Sequence, residues 1–407
     1  MSDAPRDVAG RPVGDESTLS RWAAAQVEAG SWVRRMFAEG QRLRALHGDE
    51  AVSDLALGQP LGEPSPQVRE ALQRAAAERG RERFGYMPNL GYPEVRERAA
   101  LDVELPGVTR ECVAMTGGAG AAMSLALRAF VDTGDEVIGV VPYFGEYRAY
   151  CAAAGARFVP VPSREDMSLD LGGIESALSP RTAALILNTP NNPSGHVVTA
   201  GELRALASLL EEHRRRSGRR VVLIVDAVYR RLVYPPHQSL NAMEFYGATV
   251  LARSFSKDLG LAGERIGYLA VHPELADVEV QRGLELCQRA LGFVNAPATM
   301  QRMLLHLDSW DVDLQPFRER RDHAVRCAQD AGLDVAAPQG GLYLWMRSPW
   351  EDALSFAQAL TEKLVIVAPG IAFGMPDRFR LCFTARREAV ETAMARIAEL
   401  SAVELTA

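Results

Sequence analysis

Five short apolar runs recur through the middle of the chain, each closing in a polar or glycine-bearing turn: CVAMTGGAG, EVIGVVPYF, AALILNTPNNPSG, VVLIVDAVY and TVLARSFSK. Short apolar runs alternating with helical segments are the pattern of parallel strands buried on both faces of a sheet. The intervening helices have local signals of their own. Thr199 and Glu202 have capping-box spacing ahead of Leu203, Leu206, Leu209 and Leu210, and Gly218 stops the segment. Upstream, residues 19–47 read as one or two helices carrying Trp22, Val27, Trp32, Met36, Phe37 and Leu43, and turn-rich pieces then alternate with helical ones to about Val103. Beyond Pro297 a long helical pattern leads to two more strand-like runs, GLYLWM and RFRLCFTA, each followed by a helix. The pattern predicts a large α/β domain over residues 62–297, a smaller α+β domain from residues 19–61 and 298–407, and a polar tail over residues 1–18.

Composition narrows the class. The 407 residues are 47% hydrophobic and 24% charged, an ordinary globular balance that excludes wholesale disorder. A net charge of −7 offers no basic footprint for nucleic acid or anionic lipid. No apolar run approaches the ~20 residues of a membrane helix. Five cysteines without CxxC spacing suit free thiols in a reducing cytoplasm, and the seven histidines form no metal-ligand spacing, so no metal is expected. One count changes the picture. Of 45 basic residues only Lys257 and Lys363 are lysines. Arginine does not deprotonate in proteins, whereas a lysine amine can be tuned to react with a carbonyl.

In open α/β sheets ligands bind at the carboxyl ends of the strands, so the residues after each run carry the chemistry. The first run opens through Gly118 and Ala119 into a helix, an anion cradle of backbone amides; Met123 breaks the dinucleotide-binding spacing. Later runs end in Phe144, in the amide-rich turn containing Asn192, and in Asp226 with Tyr229 three residues on. The last ends in Ser254, Ser256 and Lys257, with Arg265 downstream. Pyridoxal phosphate needs such a set: amides, hydroxyls and arginine for its phosphate, a lysine for its aldehyde, a carboxylate for its ring nitrogen, and donors for its phenolate oxygen.

The stretches NTPNNPSG, DAVY, SFSKDLGLAGERIGY and RFRLCFTA closely resemble those of the fold-type I, class I/II aminotransferases of the aspartate aminotransferase-like kind. The similarity runs from about residue 20 to about residue 400, and SWVRRMF, GYMPNLGYPEVRE and ERIGYLAV are similar to a bacterial subgroup of that family. The resemblance implies an α/β fold with a mostly parallel seven-stranded sheet, and transfer of the amino group of an α-amino acid to a 2-oxo acid. By the same resemblance Lys257 would hold pyridoxal 5′-phosphate as an internal aldimine and shuttle the substrate proton. Asp226 would pair with the ring nitrogen, Asn192 and Tyr229 would donate to the phenolate oxygen, and Phe144 would stack on the ring. Gly118, Ala119, Ser254, Ser256 and Arg265 would hold the phosphate, with Tyr86 reaching it from a neighbouring subunit of a homodimer. Arg380 would clamp the substrate carboxylate beside Asn192 and the Gly58 backbone. Aspartate-specific relatives carry a further arginine from the partner, where this chain has Arg289 followed by apolar Leu291, Phe293 and Val294, a departure that speaks against a dicarboxylate substrate. The alternative reaction is a lyase or a carbon–carbon or carbon–nitrogen bond-forming step on the same cofactor, since fold and cofactor do not fix the reaction. His196 reads as a loop histidine, and Trp32, Phe37 and Tyr343 as core or pocket walls.

Overall fold

The computed structural model describes residues 18–29, 32–58 and 62–404. All but the last residue of the expected polar tail lies outside these. Seven strands form the main sheet: β1 (Val113–Thr116), β2 (Glu136–Val141), β3 (Arg157–Pro162), β4 (Thr182–Asn188), β5 (Val222–Asp226), β6 (Thr249–Ser254) and β7 (Gly267–Val271). Their spatial order is β1-β7-β6-β5-β4-β2-β3. The five strands from β3 to β6 run parallel, while β7 is antiparallel to both β6 and β1.

Alternation along β5 explains the double burial. Leu223 and Val225 join one core with Leu203, Leu206 and Leu210 of helix Ala200–Ser217, whereas Val222 and Ile224 join another with Met123, Leu125 and Leu127 of helix α1 (Ala119–Phe130). Each such side chain taken from water contributes about 1.5–3 kcal/mol. The helix Ala200–Ser217 begins at the expected capping box and ends on Gly218, in the left-handed conformation at φ 75°.

Two features depart from the sequence pattern. The run CVAM forms β1, which runs in the common direction of the parallel strands, but the antiparallel β7 is inserted between it and β6, because residues 255–266 turn back on themselves in place of a crossover helix. The apolar pattern gives no sign of the edge strand β3, since Pro160 and Pro162 interrupt it. Proline cannot donate to a ladder, so it is tolerated at an edge and also discourages further strands from adding there.

A separate antiparallel sheet carries strands Tyr343–Arg347, Ala368–Pro369 and Arg378–Cys382, and the short strand Ser53–Asp54 pairs in parallel with Val365–Ile366. The Leu55 amide donates to the Ile366 carbonyl and the Leu55 carbonyl accepts from Cys382 N. The segment 53–58 is thereby held among strands from the other end of the chain and reaches Lys257. The helical pattern at residues 19–47 is two helices, Arg21–Ala29 and Trp32–His47.

Candidate active site

The register of the parallel strands sets Asn188 beside Asp226 and Asp226 beside Ala252, so the turns after β4, β5 and β6 open at one edge of the sheet. Asp226 is buried at the end of β5. Its carboxylate accepts a 2.5 Å hydrogen bond from the Tyr147 hydroxyl, on helix α2 (Glu146–Ala153), and a 3.3 Å bond from Val228 N. Burial pushes the Asp226 carboxyl above its ordinary value, and these two donors only partly oppose the effect. No ion pair to it occurs among the described residues.

The turn after β4 is tied internally. Asn188 donates to the Asp226 carbonyl at 2.8 Å and accepts from Asn192 N at 2.6 Å, and Asn191 accepts from both the amide and the hydroxyl of Ser194. Asn192 is thus fixed, and its side-chain oxygen accepts from Arg380 at 2.8 Å. Arg380 also donates to the Ala56 carbonyl at 2.5 Å, and its guanidinium lies 4.0 Å over the Tyr343 ring and 4.7 Å over Phe373. Its Nε is buried with no hydrogen-bond partner.

Lys257 is half-buried and donates to the Gly58 carbonyl at 2.6 Å. Burial lowers its amine to about 8, with Arg380 and Arg265 adding to that effect against Cys382. Ser254 donates to Ser256 at 2.8 Å, and both are buried. Gly118 precedes α1 at φ 88°, and a Cβ there would lie 2.9 Å from the Arg265 guanidinium. Glycine therefore admits the arginine to a helix start whose amides lack intrahelical partners. Ala119 is the first residue of that helix, and the Tyr150 hydroxyl stands over its first turn, 3.0 Å from where a Cβ on Gly120 would be.

The donor set fits pyridoxal phosphate: an anion cradle with Arg265 and two hydroxyls, a buried carboxylate lacking a cation among the described residues, and an amine lowered to about 8. Among the described residues no group of histidine, cysteine or carboxylate side chains is arranged to hold a metal. A family model described as aminotransferase class I and II matches residues 50–397. The chain belongs to that family. Among its relatives, the probable aspartate/prephenate aminotransferase of Thermus aquaticus is 30% identical over 361 residues, covering 85% of this chain and 90% of that protein. The probable aspartate aminotransferase of Methanocaldococcus jannaschii is 26% identical over 366 residues, covering 85% and 92%. An amino transferase from Eubacterium rectale superposes with a TM-score of 0.87 at 28% identity, covering 94% of this chain and 98% of that one. The aspartate aminotransferase of Thermus thermophilus with maleate gives 0.83 at 27%, covering 94% and 100%. The protein is an aminotransferase of fold-type I, and the lyase alternative is not favoured.

In this aminotransferase the contacts above join Lys257 to Gly58, Asp226 through Asn188 to Asn192 and on to Arg380, and Ser254 to Ser256, while Gly118 lies against Arg265. Phe144 is partly buried and meets Tyr147 edge-on at 5.7 Å. Tyr229 is buried, its hydroxyl 3.0 Å from that of Tyr343 and pushed well above its ordinary value by burial. Tyr86 is 100% exposed, so within the chain it touches none of them. Arg289 is exposed near the end of helix Val278–Ala290, His196 lies 3.3 Å from Glu202, and Lys363 is exposed. Sequence reading missed Tyr147, Asn188 and Tyr150. Asn188 stood inside a quoted motif and Tyr147 one helical turn past Phe144, but no local signal pairs either with Asp226.

Proposed function

We propose that this aminotransferase uses pyridoxal 5′-phosphate to transfer the amino group of an α-amino acid to a 2-oxo acid, with Lys257 as the group that moves the substrate proton. The carrying observation is the amine lowered to about 8 at the same sheet edge as a buried carboxylate without a cation. When bound, the cofactor supplies a carbonyl that condenses with amines and a ring that withdraws electrons from the substrate α-carbon. Gly118 and Ala119 amides, Ser254, Ser256 and Arg265 would hold its phosphate. Asp226, steadied by Tyr147, would keep the ring nitrogen protonated, while Asn192 and Tyr229 donate to the phenolic oxygen and Phe144 covers a ring face. Arg380, already aligned by Ala56 and Asn192, would take the substrate carboxylate in a bidentate grip. Lys257 would take the α-proton of the bound substrate and hand it back as an acid, the Gly58 carbonyl orienting the amine.

In this reading residues 62–297 form the cofactor-binding domain, and residues 19–61 with 298–407 supply the substrate side. The active unit is a homodimer in which the partner's Tyr86 reaches the phosphate, supported by the complete exposure of that side chain. All five cysteines are free thiols, which supports a cytoplasmic location. No helix among the described residues is long and apolar enough to cross a membrane. The test is a visible absorbance spectrum of the protein loaded with pyridoxal phosphate and titrated with single amino acids in the absence of oxo acid. Bleaching of the visible band with stoichiometric release of a 2-oxo acid is expected. A protein that develops no visible band overturns the reading, and ammonia release in place of bleaching revives the lyase.

A further inference from the structure

Tyr343 has no role in the mechanism above, yet it touches three of its groups. The side chain is buried at the start of strand Tyr343–Arg347, opposite Cys382 in the ladder, which sets it diagonally beside Arg380 on the same face. Its ring lies 4.0 Å beneath the Arg380 guanidinium. Its hydroxyl is 3.0 Å from the Tyr229 hydroxyl, the two rings meeting edge-on at 6.0 Å. A Cβ on Gly58 would fall 1.9 Å from that hydroxyl oxygen, so the phenol occupies space that only glycine leaves free. The carbonyl of the same Gly58 accepts from Lys257.

A phenylalanine would supply all of this packing, so the hydroxyl needs its own account. A phenol has one proton to donate. If Tyr229 gives its proton to the phenolic oxygen of the cofactor, its own oxygen is left as an acceptor, and Tyr343 is the donor at hand. Hydrogen bonds in such a relay polarise one another, the more so in a dry interior. We propose that Tyr343 is a positioning residue that donates to Tyr229 and thereby strengthens the Tyr229 bond to the cofactor, setting the pH at which the bound chromophore ionises. This rests on the cofactor reading of Tyr229 given above. The charged and titratable groups facing the pair are Arg380, Cys382, Asp226 and Tyr147, with Lys257 across Gly58.

The sign follows from the donor. A hydrogen bond to the phenolic oxygen favours its anionic form, so weakening that bond raises the midpoint. Holoenzyme of Tyr343→Phe should retain its visible band, with the pH midpoint of that band raised by about 0.3–1 unit. Tyr343 replaced by 3-fluorotyrosine, a stronger donor of the same shape, should lower the midpoint. In Tyr229→Phe the relay is already cut, so adding Tyr343→Phe should move the midpoint no further. An unmoved midpoint in Tyr343→Phe, or full additivity in the double variant, overturns the role of Tyr343 while the cofactor reading stands. A wild-type protein that gains no visible band with pyridoxal phosphate overturns both.

Discussion

Asp226 and Asp102 are each 7% exposed, and their surroundings treat the charge in opposite ways. Asp102 ends helix Pro93–Asp102 and is met by Arg231, by Arg253 at 3.7 Å and by the Tyr268 hydroxyl at 2.6 Å. Burial pushes its carboxyl up, but Arg253, Arg231 and Arg230 outweigh that and hold it below its ordinary value. Arg253, wholly buried, also pairs with Asp258, the residue after Lys257, and donates to the Ser254 carbonyl. Asp226 has a phenol and one backbone amide, and its carboxyl stays raised. A carboxylate that braces the fold is neutralised by the chain itself. Asp226 is left short of a cation, which is what the proposed pairing with a protonated ring nitrogen requires.

The comparison can be broken by exchange experiments, and the largest effect belongs to the amine that shares the site with Asp226. Lys257→Ala should abolish turnover while leaving the circular dichroism spectrum intact; residual normal turnover would remove Lys257 from the chemistry. Asp226→Asn should lower kcat/KM by about 10²–10³-fold, the scale of losing one aligned charge contact in the reacting state. Its cofactor-free form should melt no lower than wild type, since the variant deletes a buried charge that lacks a partner. Asp102→Asn should do the reverse: denaturant unfolding would show a loss of about 3–5 kcal/mol, with turnover per folded molecule unchanged. Swapped outcomes for the two asparagine variants would collapse the distinction.

Acid titration sharpens it. The folded Asp226 carboxyl is raised, so the cofactor-free protein loses stability from this group as pH rises from the ordinary aspartate value through the folded one. The folded Asp102 carboxyl is lowered, so its contribution is full above 3.8 and is lost as pH falls through the folded value. Subtracting each asparagine variant from wild type should give a difference that falls with pH above the ordinary aspartate value for Asp226 and one that rises with pH below it for Asp102. The smallest effect expected is that of Tyr147→Phe, which removes the donor to Asp226 and should reduce turnover about tenfold with the fold retained.

How far these features can be read from the sequence depends on how local their causes are. Strands β2, β4, β5 and β6 announce themselves because double burial demands continuous apolar residues. Strand β3 is hidden by Pro160 and Pro162, and the placement of β7 between β1 and β6 depends on a reversal with no periodic signal. Lys257 stands out because arginine fills nearly every other basic position, and Asp226 because a carboxylate closes an apolar run. Their supports are another matter. Tyr147 meets Asp226 across 79 residues, Tyr343 meets Tyr229 across 114, and Arg231 meets Asp102 across 129. Such pairs exist only after tertiary packing, and one sequence holds no trace of the contact. The family resemblance carried the reading of Arg380, whose own segment looks like any buried strand.

The threading of segment 53–58 between strands near the other terminus has a consequence for how the protein is made. Ala56, which orients Arg380, and Arg380 itself are 324 residues apart. At ribosomal speeds of about 5–20 residues per second, roughly 15 to 60 s separate the synthesis of the two. Lys257, Asp226 and the phosphate cradle are all translated before Arg380 emerges. The nascent chain can therefore assemble the sheet edge around Lys257 and Asp226 first, the half proposed to hold the cofactor, and only the last strands to leave the ribosome bring Arg380 to it.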